Sequence, residues 1–315
     1  TYMLIWYPGM VFLVVPMVAN ASIRATGDTR FPALMMIGAM GFNLVLDPLL
    51  IFGLWGFPRM ELEGAAWATV ISRAAVFVAS LLLMHYKEKL LDISLPSLKR
   101  VLGSWKEVGV VALPATATNL LEPLAAGVVT RLIAEQGATA VAVWGAGSRI
   151  ASFALVPLFG VCSGLVPLVA QNWGAAAYDR VYQAQRYGYG FALVWGLVVA
   201  GVLYLGAAPL ARLFSQDQGV IEQVVLYLCI LPVSFGMMGV LSVNEESLNA
   251  IGKPAVATVQ TVVHQFGVYL PLGLLGAYWN GLSGLFAGLA CSNLIGALFG
   301  LWLVRWTCRQ SELDR

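Results

Sequence analysis

Of the 315 residues, 59% are hydrophobic and only 11% charged, with a formal net charge of +2 and a mean hydropathy of +0.80. A soluble domain carries roughly 25% charged residues, so these values exclude a water-soluble globular protein. The small net charge, with no Lys and Arg gathered on one soluble face, excludes nucleic acid as a partner.

The apolar residues fall in stretches of about 20, each long enough to cross a bilayer as a helix. No period-two alternation is sustained, which argues against a barrel. The expected fold class is therefore an all-α, polytopic integral membrane protein. Nine spans are predicted, at 2–23, 31–54, 63–86, 106–134, 138–170, 184–207, 223–248, 254–276 and 282–305. The opening TYMLIWYPGMVF has no basic n-region or small-residue cleavage site, and reads as the start of a spanning helix rather than a signal peptide.

The connections sort by charge. One alternate set holds Arg24 and Arg30, then Lys87, Lys89, Lys99, Arg100 and Lys106, then Arg180 and Arg186, then Lys253, then the tail's Arg305, Arg309 and Arg315. The other set holds Arg59, Arg131 and Arg212. The positive-inside rule puts the first set and the C-terminus in the cytoplasm. The longest polar connection separates three spans from six. The expected domains are 1–86, the remainder of an N-terminal lobe with three helices; 87–105, a cytoplasmic inter-lobe linker; and 106–315, a C-terminal lobe of six helices with a short cytoplasmic tail.

A weak internal repeat supports this division. SIRATGDTRFP at 22–32 is echoed by SLNAIGKP at 247–254, Pro48 by Pro271, and GAAWATVIS from Gly64 by GLFAGLACS from Gly284. Three features in the same order over three spans imply parallel repeats, a plan common in transporters.

Intramembrane polar groups are expensive and are kept for a task. Asp47 is followed by Pro48, which removes a backbone donor, and Asn43 lies one helical turn before it on the same face. Desolvation favours the protonated carboxyl and a nearby cation the charged one, the property that a proton or sodium coupler needs. The competing reading is a carboxylate that locks helices together. Thr69 and Arg73 are also four residues apart; Thr69 is either a cation ligand or a helix–helix hydrogen bonder, and Arg73 is expected in a structural ion pair, with Asp47 one partner for it. Glu122, followed by Pro123, and Arg149 in the next span read as a transport residue with its partner or as a buried pair.

Glu245 and Glu246 read as groups near the cytoplasmic interface, and His264 as a hydrogen-bonded core histidine, with His264 and Gln265 on a cavity wall as the alternative. Trp6, Tyr7, Met35, Met36, Trp144, Phe153, Tyr269 and Trp279 suit either a cavity for flat apolar cations or interfacial anchoring. Cys162, Cys229, Cys291 and Cys308 show no metal-ligand spacing and are expected to be buried free thiols. No HExxH, GxSxG or GxxxxGK[ST] string is present, and two histidines leave little general-base chemistry, so the chain does not read as an enzyme.

RATGDTRFP followed by NLVLDPLLIFG and GAAWATVIS, with VPLVAQNWGAAAYDRV further on, resembles the multidrug and toxic compound extrusion (MATE) family, nearest to its DinF-type branch. The resemblance implies twelve helices in two six-helix lobes, of which this chain would supply the fourth to the twelfth. It also implies export of organic, often cationic, drug-like compounds from the bacterial inner membrane by a monomer, in exchange for H+ or Na+ and without a cofactor. The family's N-lobe cation site maps onto Asn43, Asp47 and Thr69, with Tyr2 and Asn20 in the surrounding network, and its C-lobe acidic residue onto Glu122. An Asp that NorM-type members carry before the SLNAIG-like turn is replaced here, near Met238, which favours the N-lobe site. The runner-up is a lipid-linked oligosaccharide flippase of the related superfamily, whose cavity would need several cations, whereas only Arg73 and Arg149 lie within spans.

Overall fold

The computed structural model describes residues 2–28, 30–87, 89–91 and 97–313, without the side chains of Tyr2, Val111, Pro114, Ala115, Ala117, Thr118, Glu122 and Leu313. Among the described residues the structure is helical, and it separates into two compact units, Thr1–Ser97 and Leu98–Arg315. Seven helical segments among those residues are long and apolar enough to cross a membrane.

Unit 1 holds α1 (Tyr2–Trp6), α2 (Val11–Ala25), α3 (Arg30–Phe52) and α4 (Glu61–Leu82). Helix α2 ends because Gly27 takes a φ of 99°, a left-handed conformation that a side chain resists. The Gly27 N–H then donates to Arg24 O at 3.0 Å. Asp28 caps α3, its Oδ1 accepting from the N–H groups of Arg30 and Phe31 at 3.0 and 3.3 Å. The return from α3 to α4 is close, because a side chain on Gly64 would meet the Leu50 carbonyl. Most large apolar side chains of α3 point outward; Leu44 is 71% and Met40 75% exposed, which fits a lipid-facing surface.

Unit 2 holds α5 (Leu98–Glu135), α6 (Ala138–Gly174), α7 (Tyr178–Leu205), the short α8 (Ala207–Phe214), α9 (Gln218–Ile230), α10 (Phe235–Ala250), α11 (Pro254–Val262) and α12 (Leu270–Leu313). Helix α5 starts eight residues before the span expected at 106, so 98–105 is helical. Helices α9 and α10 are joined by a 3-10 turn, Leu231–Ser234, where Pro232 interrupts the ladder.

The segment α11, the π-turn Val263–Tyr269 and α12 break only at Asn280 and Gly281, the latter at φ 54°. There the chain folds back on itself as a tight hairpin. Gly276 sits against the Gly284 carbonyl, Gly288 against that of Leu272, and Gly296 against the His264 ring. Small residues let the two backbones approach, as in other membrane helix pairs.

The repeated turns share one geometry. Gly252, at φ 77°, ends α10 as Gly27 ends α2, with its N–H on Asn249 O at 3.1 Å and that of Lys253 on Leu248 O at 2.9 Å.

Candidate functional site

The predicted coupling residues lie on two helices of unit 1 that pack against each other, α3 and α4. Asn20 on α2 is 7% exposed, and its Oδ1 is buried without a hydrogen-bond partner. The same holds for Asn43 Nδ2 and Asp47 Oδ1 on α3 and for Ser72 Oγ on α4. Buried polar groups are normally paired, so these four atoms, spread over α2, α3 and α4, are exceptions within an apolar unit. The Thr69 hydroxyl donates to Ala65 O at 2.9 Å, which spends its proton on its own helix and leaves its lone pairs as acceptors. Among the described residues no hydrogen bond joins Asn43, Asp47 and Thr69 to one another.

Arg73 differs from the expectation of an ion pair. Its guanidinium carbon stands 5.1 Å from the ring centroid of Trp6, a cation–π contact between α4 and α1, and among the described residues no carboxylate pairs with it. The face of an aromatic ring in an apolar unit offers the cation an electrostatic partner that costs no second charge. The side chains of Tyr2 and Glu122 lie outside the described residues. Arg149 on α6 is exposed.

Unit 2 contains a cavity of about 480 Å³. Trp144, Phe159, Tyr227, Phe235 and Tyr269 supply aromatic walls, and Ser148, Ser152, Ser242, Gln260, Thr261, His264, Gln265 and Asn293 supply hydrogen-bonding groups. Glu245 also lines it, rather than standing only at the interface. Trp144 stacks on Phe286 at 6.5 Å and meets Tyr227 edge-on at 5.9 Å, which holds the aromatic wall in place. Of the aromatic and Met candidates, Trp144 and Tyr269 line the cavity, while Phe153 and Trp279, both 81% exposed, face outward.

From the cavity wall inward runs a polar seam that periodicity alone did not single out. Gln260 Nε2 donates to Leu241 O at 3.2 Å, Asn293 Nδ2 to Ser234 Oγ at 2.9 Å, and the Tyr189 hydroxyl to Asn244 Oδ1 at 2.6 Å. Gln260 Oε1, His264 Nε2 and Asn244 Nδ2 remain buried without partners. Gly296 and Gly300, one turn apart on α12, make room for these side chains, since a Cβ there would run into His264 and Asn244. The sequence signal was the pair Gln260 and His264, four residues apart in an apolar span, the same spacing as Asn43 and Asp47. Of the cysteines, Cys162 and Cys308 are buried, Cys229 is half-buried and Cys291 is exposed, all as free thiols. Among the described residues no group of three His, Cys, Asp or Glu side chains could hold a metal ion.

Helices long and apolar enough to span a membrane, and a superposition on a solved MATE transporter at 29% identity, place the chain among helical polytopic membrane transporters. More narrowly, the chain belongs to the MatE family, whose model matches residues 114–275. It is 37% identical over 307 residues to the FAD transporter of Shewanella oneidensis, covering 98% of this chain and 68% of that protein. The multidrug export protein MepA of Staphylococcus aureus is 23% identical over 317 residues, covering 99% and 69%. Among solved structures, the Vibrio cholerae MATE transporter VcmN in the bent form superposes with a TM-score of 0.88 at 30% identity, over 99% of this chain and 70% of that one.

Proposed function

We propose that the chain forms part of a secondary exporter of organic, often cationic, drug-like compounds, driven by inward movement of H+ or Na+ and working as a monomer in the bacterial inner membrane with a cytoplasmic C-terminus. The observation that carries this reading is Asp47, whose Oδ1 is buried without a partner one helical turn from the equally unpartnered Asn43 Nδ2, on an apolar helix. An uncompensated carboxylate is costly in such a setting. A proton removes the charge, and a sodium ion would balance it, with Asp47, Asn43 and Thr69 as its candidate oxygen donors. Either event changes the preferred packing of α2, α3 and α4, which is what coupling requires.

The test is efflux from membrane vesicles driven by an imposed proton or sodium gradient. Asp47→Asn is expected to abolish gradient-driven export with the protein still inserted. Export at the wild-type rate would remove Asp47 from the coupling role, and the gradient that supports the wild type identifies the ion.

The substrate has a second reading, because the 37% identical relative is an FAD transporter. The aromatic and amide-rich cavity of unit 2 suits a flat heterocycle with hydrogen-bonding edges, a description that fits both a flavin ring and a cationic dye. Competition of FAD against ethidium in the same vesicles separates them.

A further inference from the structure

Apart from the antiport reading, we propose that unit 2 carries a binding pocket for a phosphate group, presented by an anionic phospholipid headgroup or as free phosphate, between the first turns of α7 and the last turns of α12. A cavity of about 300 Å³ lies there, bounded by Tyr182, Gln185, Arg186, Tyr189 and Arg305. On α7 the residues 182, 185 and 189 recur at helical spacing and share one face, and Arg305 completes the wall from α12.

The hydrogen-bond inventory decides what the pocket accepts. The Tyr182 hydroxyl donates to Glu312 Oε1 at 2.5 Å and that of Tyr189 to Asn244 Oδ1 at 2.6 Å, so both phenolic protons are committed to other partners. Glu312, a carboxylate beside this wall, accepts the Tyr182 hydrogen bond and keeps its own charge, which leaves one negative group against two guanidinium groups. What remains is donors. Arg186 and Arg305 have no ion-pair partner among the described residues, and Gln185, 4% exposed, has its amide beside the Cys308 thiol while its buried Nε2 makes no hydrogen bond to nitrogen or oxygen. Two guanidinium groups and an amide N–H match the oxygens of a phosphate, which arginine recognises through paired, charge-assisted hydrogen bonds.

The depth of the pocket matches a headgroup. Arg186 lies roughly 12 Å along α7 from Tyr178, and Arg305 a similar distance from the end of α12. Arg180 and Arg309 stand nearer the helix ends. Basic pockets between helices on the cytoplasmic side are the usual seat of anionic lipid headgroups.

The test is thermal unfolding of the full-length protein in neutral detergent, titrated separately with phosphatidylglycerol, phosphatidylcholine and inorganic phosphate. Phosphatidylglycerol is expected to raise the melting temperature. The double substitution Arg186→Gln with Arg305→Gln is expected to weaken the apparent affinity roughly 30-fold, while Arg180→Gln, outside the pocket, leaves it close to wild type. Gln185→Leu keeps both charges and is expected to weaken binding too, so it decides the matter where the double variant unfolds. Stabilisation by inorganic phosphate that the same variants lose supports the pocket and assigns a soluble source. No response to either ligand, an equal response to phosphatidylcholine, or an equal loss in Arg180→Gln overturns the proposal.

Discussion

Asp28 shows how much one side chain does in this protein. Its Oδ1 caps α3, while its Oδ2 accepts from Lys87 Nζ at 2.7 Å, and the same ammonium lies 3.3 Å from the ring centroid of Phe31. The turn between α2 and α3 is thereby clasped to the end of the helical segment that follows α4. The Lys87 hydrogen bond holds the Asp28 carboxyl below its ordinary value of 3.8. The unfolded chain thus binds this proton more readily than the folded one. The stabilisation is complete above the unfolded value and is lost as the pH falls through the lower, folded one, at about pH 4 and below. Thermal unfolding in detergent across that window should fall more steeply for the wild type than for Asp28→Asn. Parallel curves would show that the clasp contributes nothing. Asp28 was legible as a turn residue within RATGDTRFP, but its partner 59 positions later was not.

At the scale of elements, glycines at backbone crossings set how closely helices pair. Gly276, Gly284 and Gly288 put backbone against backbone within the α12 hairpin, and a methyl group there has no flexible side chain to push aside. Gly284→Ala should therefore cost about 1–3 kcal/mol in unfolding experiments. Gly201→Ala, where nothing lies within 4 Å, should be neutral or stabilising by up to about 1 kcal/mol, because alanine is the better helix former. The turn glycines give a second comparison. Gly27 and Gly252 adopt φ of 99° and 77°, so alanine at either should cost about 1 kcal/mol through backbone strain. A similar loss at both positions would show that the sequence echo between 22–32 and 247–254 reflects one turn geometry used twice.

For the whole molecule, the distribution of Lys and Arg makes a prediction about sidedness. Gln310 near the end of α12 and Gln216 between α8 and α9 are both exposed. In a background with Cys291→Ser, Gln310→Cys should resist a membrane-impermeant maleimide in intact cells and react in inverted vesicles, and Gln216→Cys should do the reverse. The opposite pattern would invert the topology drawn from the charges.

Local chemistry determined much of this protein. Composition and span length imposed helices and a membrane setting. An aspartate one turn from an asparagine in an apolar helix marked the first polar locus, and the ordered motifs pointed to the family. Other features were decided only by tertiary structure, because they join residues remote in sequence. The Arg73 contact with Trp6, the seam of Asn244, Gln260, His264 and Asn293, and the Arg186–Arg305 wall each depend on which faces of separate helices meet. Periodicity gives the face of a helix that is polar, but not the partner placed against it; in the seam, that partner is set by the close approaches that Gly296 and Gly300 permit.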